Sequence, residues 1–391
     1  MISRLPGLLR TIYLNRRRRD TLPRFLTHTV TFGCNARCIM CDSWKLPTDD
    51  DLSLAEIEKI YQQLPRMDAV RLTGGEPLVR RDLVEIAQLA VRYLRPLFLH
   101  VTTNGFLTKR IVEFCEQRPR STPLDLLVSI DGLADKHNTI RGHSQAYQLC
   151  LETIQALAPR RKELNLQLAV NQTIVDAEGV EQYRLLRDAL RPFDVHNHMV
   201  MAYDSSATYS TDRNLDVAPR EIGEFTTFGE FSTKHLTQLL DQVEEDVRRY
   251  PFSQRIAKLY YLKGIRQRLL HGRGTPNPPC TALHSHLRLF PNGDVPTCQF
   301  NSHVVGNLRE TPFEAVWNSV LAKSQRDWVR RCPGCWAECE VLPSAIYSGD
   351  LLLDWFRPQQ TAGTAGQVQT NGLKVKETPV SEPQLIELEQ L

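Results

Sequence analysis

Three cysteines stand close together in the run Cys34-Asn-Ala-Arg-Cys38-Ile-Met-Cys41. Three thiolates do not complete a structural zinc site, which takes four ligands. A four-iron cubane gripped by three sulfurs, in contrast, keeps one iron free to bind something else, and reactivity would centre on that open corner. On the residues alone two other readings stay open: three unrelated thiols, or a zinc site completed by a distant side chain such as His28.

Five more cysteines fall between positions 280 and 339. Cys280 and Cys298 bracket Gly293 as Cys-x12-Gly-x4-Cys, and Cys332-Pro-Gly-Cys335-Trp-Ala-Glu-Cys339 follows. A Cys-x2-Cys pair with two distant cysteines has the pattern of a metal site, and ligand count alone admits zinc as well as iron–sulfur. His284 and His286 lie near Cys280 and are expected to be exposed polar side chains rather than ligands. Only Cys115 and Cys150 stand apart, so the cysteine usage points to metal or redox chemistry rather than a disulfide scaffold.

Alternating β-rich and helical runs must position these groups. Strands are expected at Thr29–Phe32, Ala69–Thr73, Leu97–Thr102, Asp125–Ile130, Leu166–Thr173 and His196–Ala202, with helices between them, one opened by a Ser53/Glu56 capping box. Six such repeats are too few for a closed eight-stranded barrel. They suit an α/β fold, a partial (β/α)6 TIM-like barrel, followed by a small cysteine-rich domain. Ligands of parallel barrels gather at the carboxyl ends of the strands. There the sequence places Thr73-Gly74-Gly75-Glu76-Pro77, Thr103-Asn104-Gly105, Ser129-Ile130-Asp131-Gly132 and then Arg141-Gly142, with Asn171 a weaker candidate. Taken singly each could be a turn or cap; recurring at successive strand ends, they read as one pocket. The expected domains are a basic leader over 1–27, the barrel over 28–230, a helical linker over 231–279, the cysteine module over 280–347 and a tail from 348, disordered from about 358.

Cys-x3-Cys-x2-Cys after a first strand resembles the signature of the radical S-adenosylmethionine (SAM) superfamily. That family usually has an aromatic residue before the third cysteine, where this chain has Met40, whose thioether can make a similar soft contact with adenine. The resemblance implies a SAM-binding [4Fe-4S] cluster on Cys34, Cys38 and Cys41, with Gly74, Gly75 and Glu76 at the SAM amino group. It also implies Ser129 and Arg141 at the carboxylate or ribose, and Asn104 and Asp131 shaping the pocket. SAM would chelate the open iron, and one electron would release a 5′-deoxyadenosyl radical that takes a hydrogen atom from an unactivated carbon. The 280–339 segment, with Gly306-Asn307-Leu308, Phe313 and Trp317, resembles a shortened SPASM/twitch domain carrying one auxiliary [4Fe-4S] cluster. Cys280, Cys298, Cys332 and Cys335 are its expected ligands, and Cys339 competes for a place.

The resemblance further implies an electron donor such as flavodoxin or ferredoxin. The substrate class stays open between a peptide or protein, a lipid or isoprenoid, and a small alcohol or sugar. A formal net charge of +3 over 391 residues argues against nucleic acid as a partner. No apolar run suits a membrane span and the leader lacks a secretory layout, so a cytoplasmic address is expected. The leader carries seven arginines. It reads as a helix packed on the barrel with its arginines in water, and peripheral contact with an anionic membrane is the alternative. The competing function is a non-catalytic zinc- or iron–sulfur-binding scaffold.

Overall fold

The computed structural model describes residues 4–203 and 227–356. The end of the expected barrel segment, over 204–226, and the tail beyond Pro358 lie outside the described residues. Two compact units divide the chain at residue 355, and all but one of the described residues belong to the first.

Six strands follow the βα alternation: β1 Phe25–Thr29, β2 Ala69–Thr73, β3 Phe98–Thr103, β4 Leu124–Ser129, β5 Leu166–Ile174 and β6 His196–Met201. Each pairs in parallel with the next. A seventh, β7 His286–Leu289, joins the far side of β1 in parallel and completes the order β6-β5-β4-β3-β2-β1-β7. The sheet curves as a partial barrel without closing. β7 went unread because its four residues, His-Leu-Arg-Leu, sit inside the cysteine segment, and burial on both faces leaves no long alternating pattern.

The first strand lies earlier than the expected Thr29–Phe32. The ladder ends at Thr29 because the chain then passes over the loop after β2. The N–H of Val30 donates to Thr73 O at 2.7 Å, and Thr31 and Gly33 offer their carbonyls to Gly75 N–H and Glu76 N–H at 2.9 and 2.8 Å.

Helices cover the outer face. They are α2 Leu54–Gln63, opened by the Ser53/Glu56 capping box, α3 Leu83–Leu89, α4 Thr108–Gln117, α5 Ala134–Arg141, α6 Ala146–Leu157 and α7 Gly179–Leu190. Outward side chains of the strands, such as Leu26, Val70, Leu99 and Leu126, are fully buried against Ile57, Ile86, Ile111 and Ile154 of these helices. The inward set differs. Arg71, Thr73, Thr102, Asp125, Asn171, Thr173 and His198 stay partly exposed between buried neighbours, which marks an open polar lumen.

Two later helices attend to the open side. Alongside α8 Thr233–Val247 lies α9 Phe252–His271, whose Lys258 Nζ donates to Met199 O at 2.7 Å; Tyr250 Oη donates to Asn197 O at 2.7 Å. The exposed carbonyl edge of β6 is thereby satisfied. Lys258 also meets Glu338 at 3.0 Å, the first residue of α12 Glu338–Tyr347. Glu340 of α12 in turn pairs with Arg288 and His286 on β7, at 2.6 and 3.2 Å. The helix that carries Cys339 therefore bridges toward both free edges of the barrel. The leader forms α1 Leu5–Arg16, with Pro6 in its first turn, and docks by its buried Asn15 on Ser285 Oγ and Tyr347 O.

Candidate functional site

The loop carrying Cys34, Cys38 and Cys41 is clamped on three sides. Beneath it lies the Gly74-Gly75 turn. A Cβ at Gly74 would stand 2.4 Å from Thr31 O, and one at Gly75 would stand 2.3 Å from Phe32 O, so only glycine permits the crossing. On the second side Asn104 Nδ2 donates to Asn35 Oδ1 at 2.6 Å. On the third, Arg37 N–H and Ile39 N–H donate to the carbonyls of Arg141 and Ile140 at the end of α5, at 2.9 and 3.0 Å. Gly142, with φ of +62°, turns the chain there in a space where a Cβ would meet Arg37 O at 2.6 Å.

Each of the three sulfurs meets one N–H donor. Ala36 N–H points to Cys34 Sγ at 3.4 Å, Ser43 N–H to Cys41 Sγ at 3.5 Å, and Arg141 Nη1 to Cys38 Sγ at 3.6 Å. Burial raises the Cys34 and Cys41 thiols to about 12 and about 11, and each also feels the neighbouring sulfurs. Unbound, they are disfavoured as thiolates; bound to a cation they ionise and the waiting N–H groups stabilise the charge. Among the described residues no three His, Cys, Asp or Glu side chains converge on a single-ion position. His28 turns away, its Nδ1 at 2.7 Å from Tyr61 Oη on α2. The donor set fits a cluster with three sulfur ligands.

Facing the loop is Glu76, 1% exposed. It accepts from Leu78 N–H at 3.0 Å, Thr103 Oγ1 at 2.9 Å and Asn104 N–H at 2.6 Å. Burial nonetheless lifts its pKa to about 7, since none of these donors is charged. Such a carboxylate can accept a further N–H donor. Asp131 has a different place: it grips Arg141 bidentately, Nε at 2.6 Å and Nη2 at 3.0 Å. Burial opposes the charge on Arg141 and Asp131 outweighs it, so the guanidinium stays ionised beside Cys38. Asp131 occupies two of the three nitrogens of Arg141, and the third meets Cys38 Sγ. Ser129, buried at the end of β4, makes no side-chain hydrogen bond among the described residues, and Asn171 is its partner in register on β5. Met40 packs on Ile140, Val175 and Ala202, an apolar wall at the same strand ends.

The second group gathers in the same manner. Cys280 feels Cys298 and Cys332, and Cys335 feels Cys280 and Cys298. The backbone N–H two residues on serves each sulfur: Ala282 for Cys280, Phe300 for Cys298, Gly334 for Cys332 and Ala337 for Cys335. Cys34 and Cys41 show the same offset. Cys339 departs from it: its Sγ–H donates to Gln299 Oε1 at 2.6 Å and accepts from Arg288 Nη2 at 3.7 Å. His284 and His286 are not exposed as expected; they are 4% and 2% accessible. His286 is walled in because β7 joins the sheet, with Nε2 2.9 Å from Thr27 Oγ1. Cavity-lining residues Asn15, Arg18, Cys280 and Cys332 show that α1 borders this second site, which its sequence did not announce.

Residues 29–190 match the radical SAM superfamily, and residues 280–339 match a family described as an iron–sulfur cluster-binding domain, SPASM. The chain is 27% identical over 327 residues to the AdoMet-dependent heme synthase of Methanosarcina barkeri, covering 78% of this chain and 85% of the relative. A GTP 3′,8-cyclase of Synechocystis is 31% identical over 160 residues, 40% of this chain and 48% of that protein; the chain thus spans about half of that relative. Two solved structures share the fold. Streptococcus suis SuiB bound to S-adenosylmethionine aligns with a TM-score of 0.53 at 16% identity, over 80% of this chain and 70% of that one. The anSMEcpe protein with bound AdoMet and a peptide aligns with a TM-score of 0.51 at 14% identity, over 85% and 96%.

If the N–H pattern distinguishes ligands from bystanders, iron analysis of anaerobically prepared protein separates the last two cysteines. Cys335→Ser should lower the content from about eight irons per chain to about four, and Cys339→Ser should leave about eight.

Proposed function

Because the chain is a radical SAM enzyme with a C-terminal SPASM domain that carries iron–sulfur chemistry, we propose that Cys34, Cys38 and Cys41 hold the cluster that binds and cleaves SAM. Cys280, Cys298, Cys332 and Cys335 hold an auxiliary cluster. The observation that carries the reading is the three-sulfur loop, one N–H donor per sulfur, set against a buried carboxylate at the strand ends. When bound, the cluster and SAM supply an electron and an alkyl radical able to remove hydrogen from an unactivated carbon.

The protein's own work is orientation and exclusion. Glu76 takes the amino group of SAM, held in place by its three neutral donors. Arg141, fixed by Asp131, keeps a permanent positive charge at Cys38 and tempers the negative charge of the first site. The free hydroxyl of Ser129 and the amide of Asn171 lie in register on neighbouring strands for the carboxylate or ribose. Met40 and its apolar neighbours cover the adenine. The substrate enters the polar lumen below, between the first site and α12. Reduction needs an external donor of the flavodoxin or ferredoxin kind.

Reduced enzyme mixed with SAM should release 5′-deoxyadenosine, and Cys38→Ala should abolish the release; product quantified by chromatography decides it. Affinity for SAM should also depend on pH. Glu76 is protonated below about pH 7 and is then a poor acceptor for the N–H of the amino group, so binding strengthens as pH rises through 7 and levels off above. Glu76→Gln should weaken binding by about tenfold at pH 8, in keeping with the loss of one charge-assisted hydrogen bond, and flatten that profile in anaerobic equilibrium titrations.

A further inference from the structure

The lumen contains charged side chains that are paired with one another and one that is not. Lys258 meets Glu338, and Arg288 and His286 share Glu340. His100 Nδ1 lies 3.0 Å from Asp125 Oδ2. Arg71 has no such partner. Among the described residues its guanidinium makes no hydrogen bond and no ion pair, and its Nε is buried with nothing to donate to. Its central carbon lies over the Phe25 ring, 5.1 Å from the ring centre. Stacked this way, a guanidinium keeps its planar edge free.

Its position is equally informative. Arg71 lies on β2 between Thr27 of β1 and His100 of β3 in register. It is within electrostatic reach of Asp125 on β4, His286 on β7 and Cys339 on α12. Groups on strands two apart can share that reach only across the concave side of the sheet. Along the strand it precedes Thr73 by two residues, about 7 Å at the usual rise. The Gly-Gly-Glu loop begins immediately after Thr73. The group therefore sits just below the SAM site, on the path toward the auxiliary site.

We propose that Arg71 is the substrate anchor and that the substrate bears a carboxylate, which the free edge of the guanidinium takes in a two-point grip. The inference rests on the radical SAM reading above and adds a substrate class to it. A single fork with one positive charge suits a planar monoanion. A dianionic phosphate would want further cations, and Lys258 and Arg288 already face Glu338 and Glu340. A neutral alcohol, sugar or isoprenoid would leave Arg71 buried without a partner, at the cost of desolvating it. The hydrogen atom removed lies on a carbon a short distance from that carboxylate, toward Glu76.

The test uses carbon-perdeuterated pentanoate, pentanamide and pentyl phosphate with full-length holoenzyme, SAM and dithionite, reading deuterium in the 5′-deoxyadenosine by mass spectrometry. Wild-type enzyme should take at least about tenfold more deuterium from pentanoate than from the amide or the phosphate ester. Arg71→Gln should erase that preference, and Arg71→Lys should keep part of it; iron content certifies that each variant has folded. The acid-to-amide ratio on wild-type enzyme decides the matter even where a variant fails to fold. Equal transfer from acid and amide, preference for the phosphate, a preference that survives in Arg71→Gln, or no transfer from any probe overturns the proposal. Absence of 5′-deoxyadenosine altogether would instead overturn the radical SAM reading beneath it.

Discussion

The close crossing of two backbone segments governs this structure: the chain leaving β1 passes directly over the Gly74-Gly75 turn. Carbonyls of Thr31 and Gly33 bind the amides of Gly75 and Glu76. That contact does two things together. It fixes the start of the cysteine loop relative to the sheet, and it places Glu76 opposite the sulfurs. Asn104 and the Arg141 end of α5 then secure the rest of the loop. Three thiols are presented on a frame that offers no fourth thiol beside them among the described residues, so a cluster they held would have a corner for an outside ligand.

Electrostatics follow from the same geometry. Both cysteine groups are largely shielded from solvent, which makes free thiolates costly, and both supply N–H donors to sulfur, from two residues on at every cysteine but Cys38 and Cys339. The arrangement repays ionisation only when iron is bound. Between the two groups, among the described residues, Lys258 and Arg288 are matched by Glu338 and Glu340, whereas Arg71 makes no ion pair. The closing helix α12 joins these regions. It follows Cys335 by three residues, carries Cys339, and through Glu338 and Glu340 ties the auxiliary segment to both ends of the sheet.

Much of this was legible in the sequence, for identifiable reasons. The spacing of Cys34, Cys38 and Cys41, the glycine pair and the βα alternation are local patterns, and five of the six expected strands fall within a residue or two of their places. What escaped depends on long-range contact. β1 is displaced because the Gly74-Gly75 crossing draws Thr31 and Phe32 out of the ladder. β7 is too short and too buried to show a period. α5, Ala-Asp-Lys-His-Asn-Thr-Ile-Arg, has no apolar stripe; its buried His137 accepts from Asp131 N–H, and its buried Arg141 serves the loop rather than the core. Asp131 sits two residues after Ser129 and so was grouped with it in the pocket, whereas its partner is Arg141. His286 looked like a surface residue until β7 was seen to be part of the sheet.

The vacant corner can be observed directly. Electron–nuclear double resonance on the reduced enzyme, with SAM labelled with 15N at its amino group, reports whether that nitrogen binds iron. The expected result is a strong nitrogen coupling to one unique iron, present in wild type and lost in Cys38→Ala. A cluster with four protein ligands and no coupling to the label would contradict the three-sulfur frame on which the site is built.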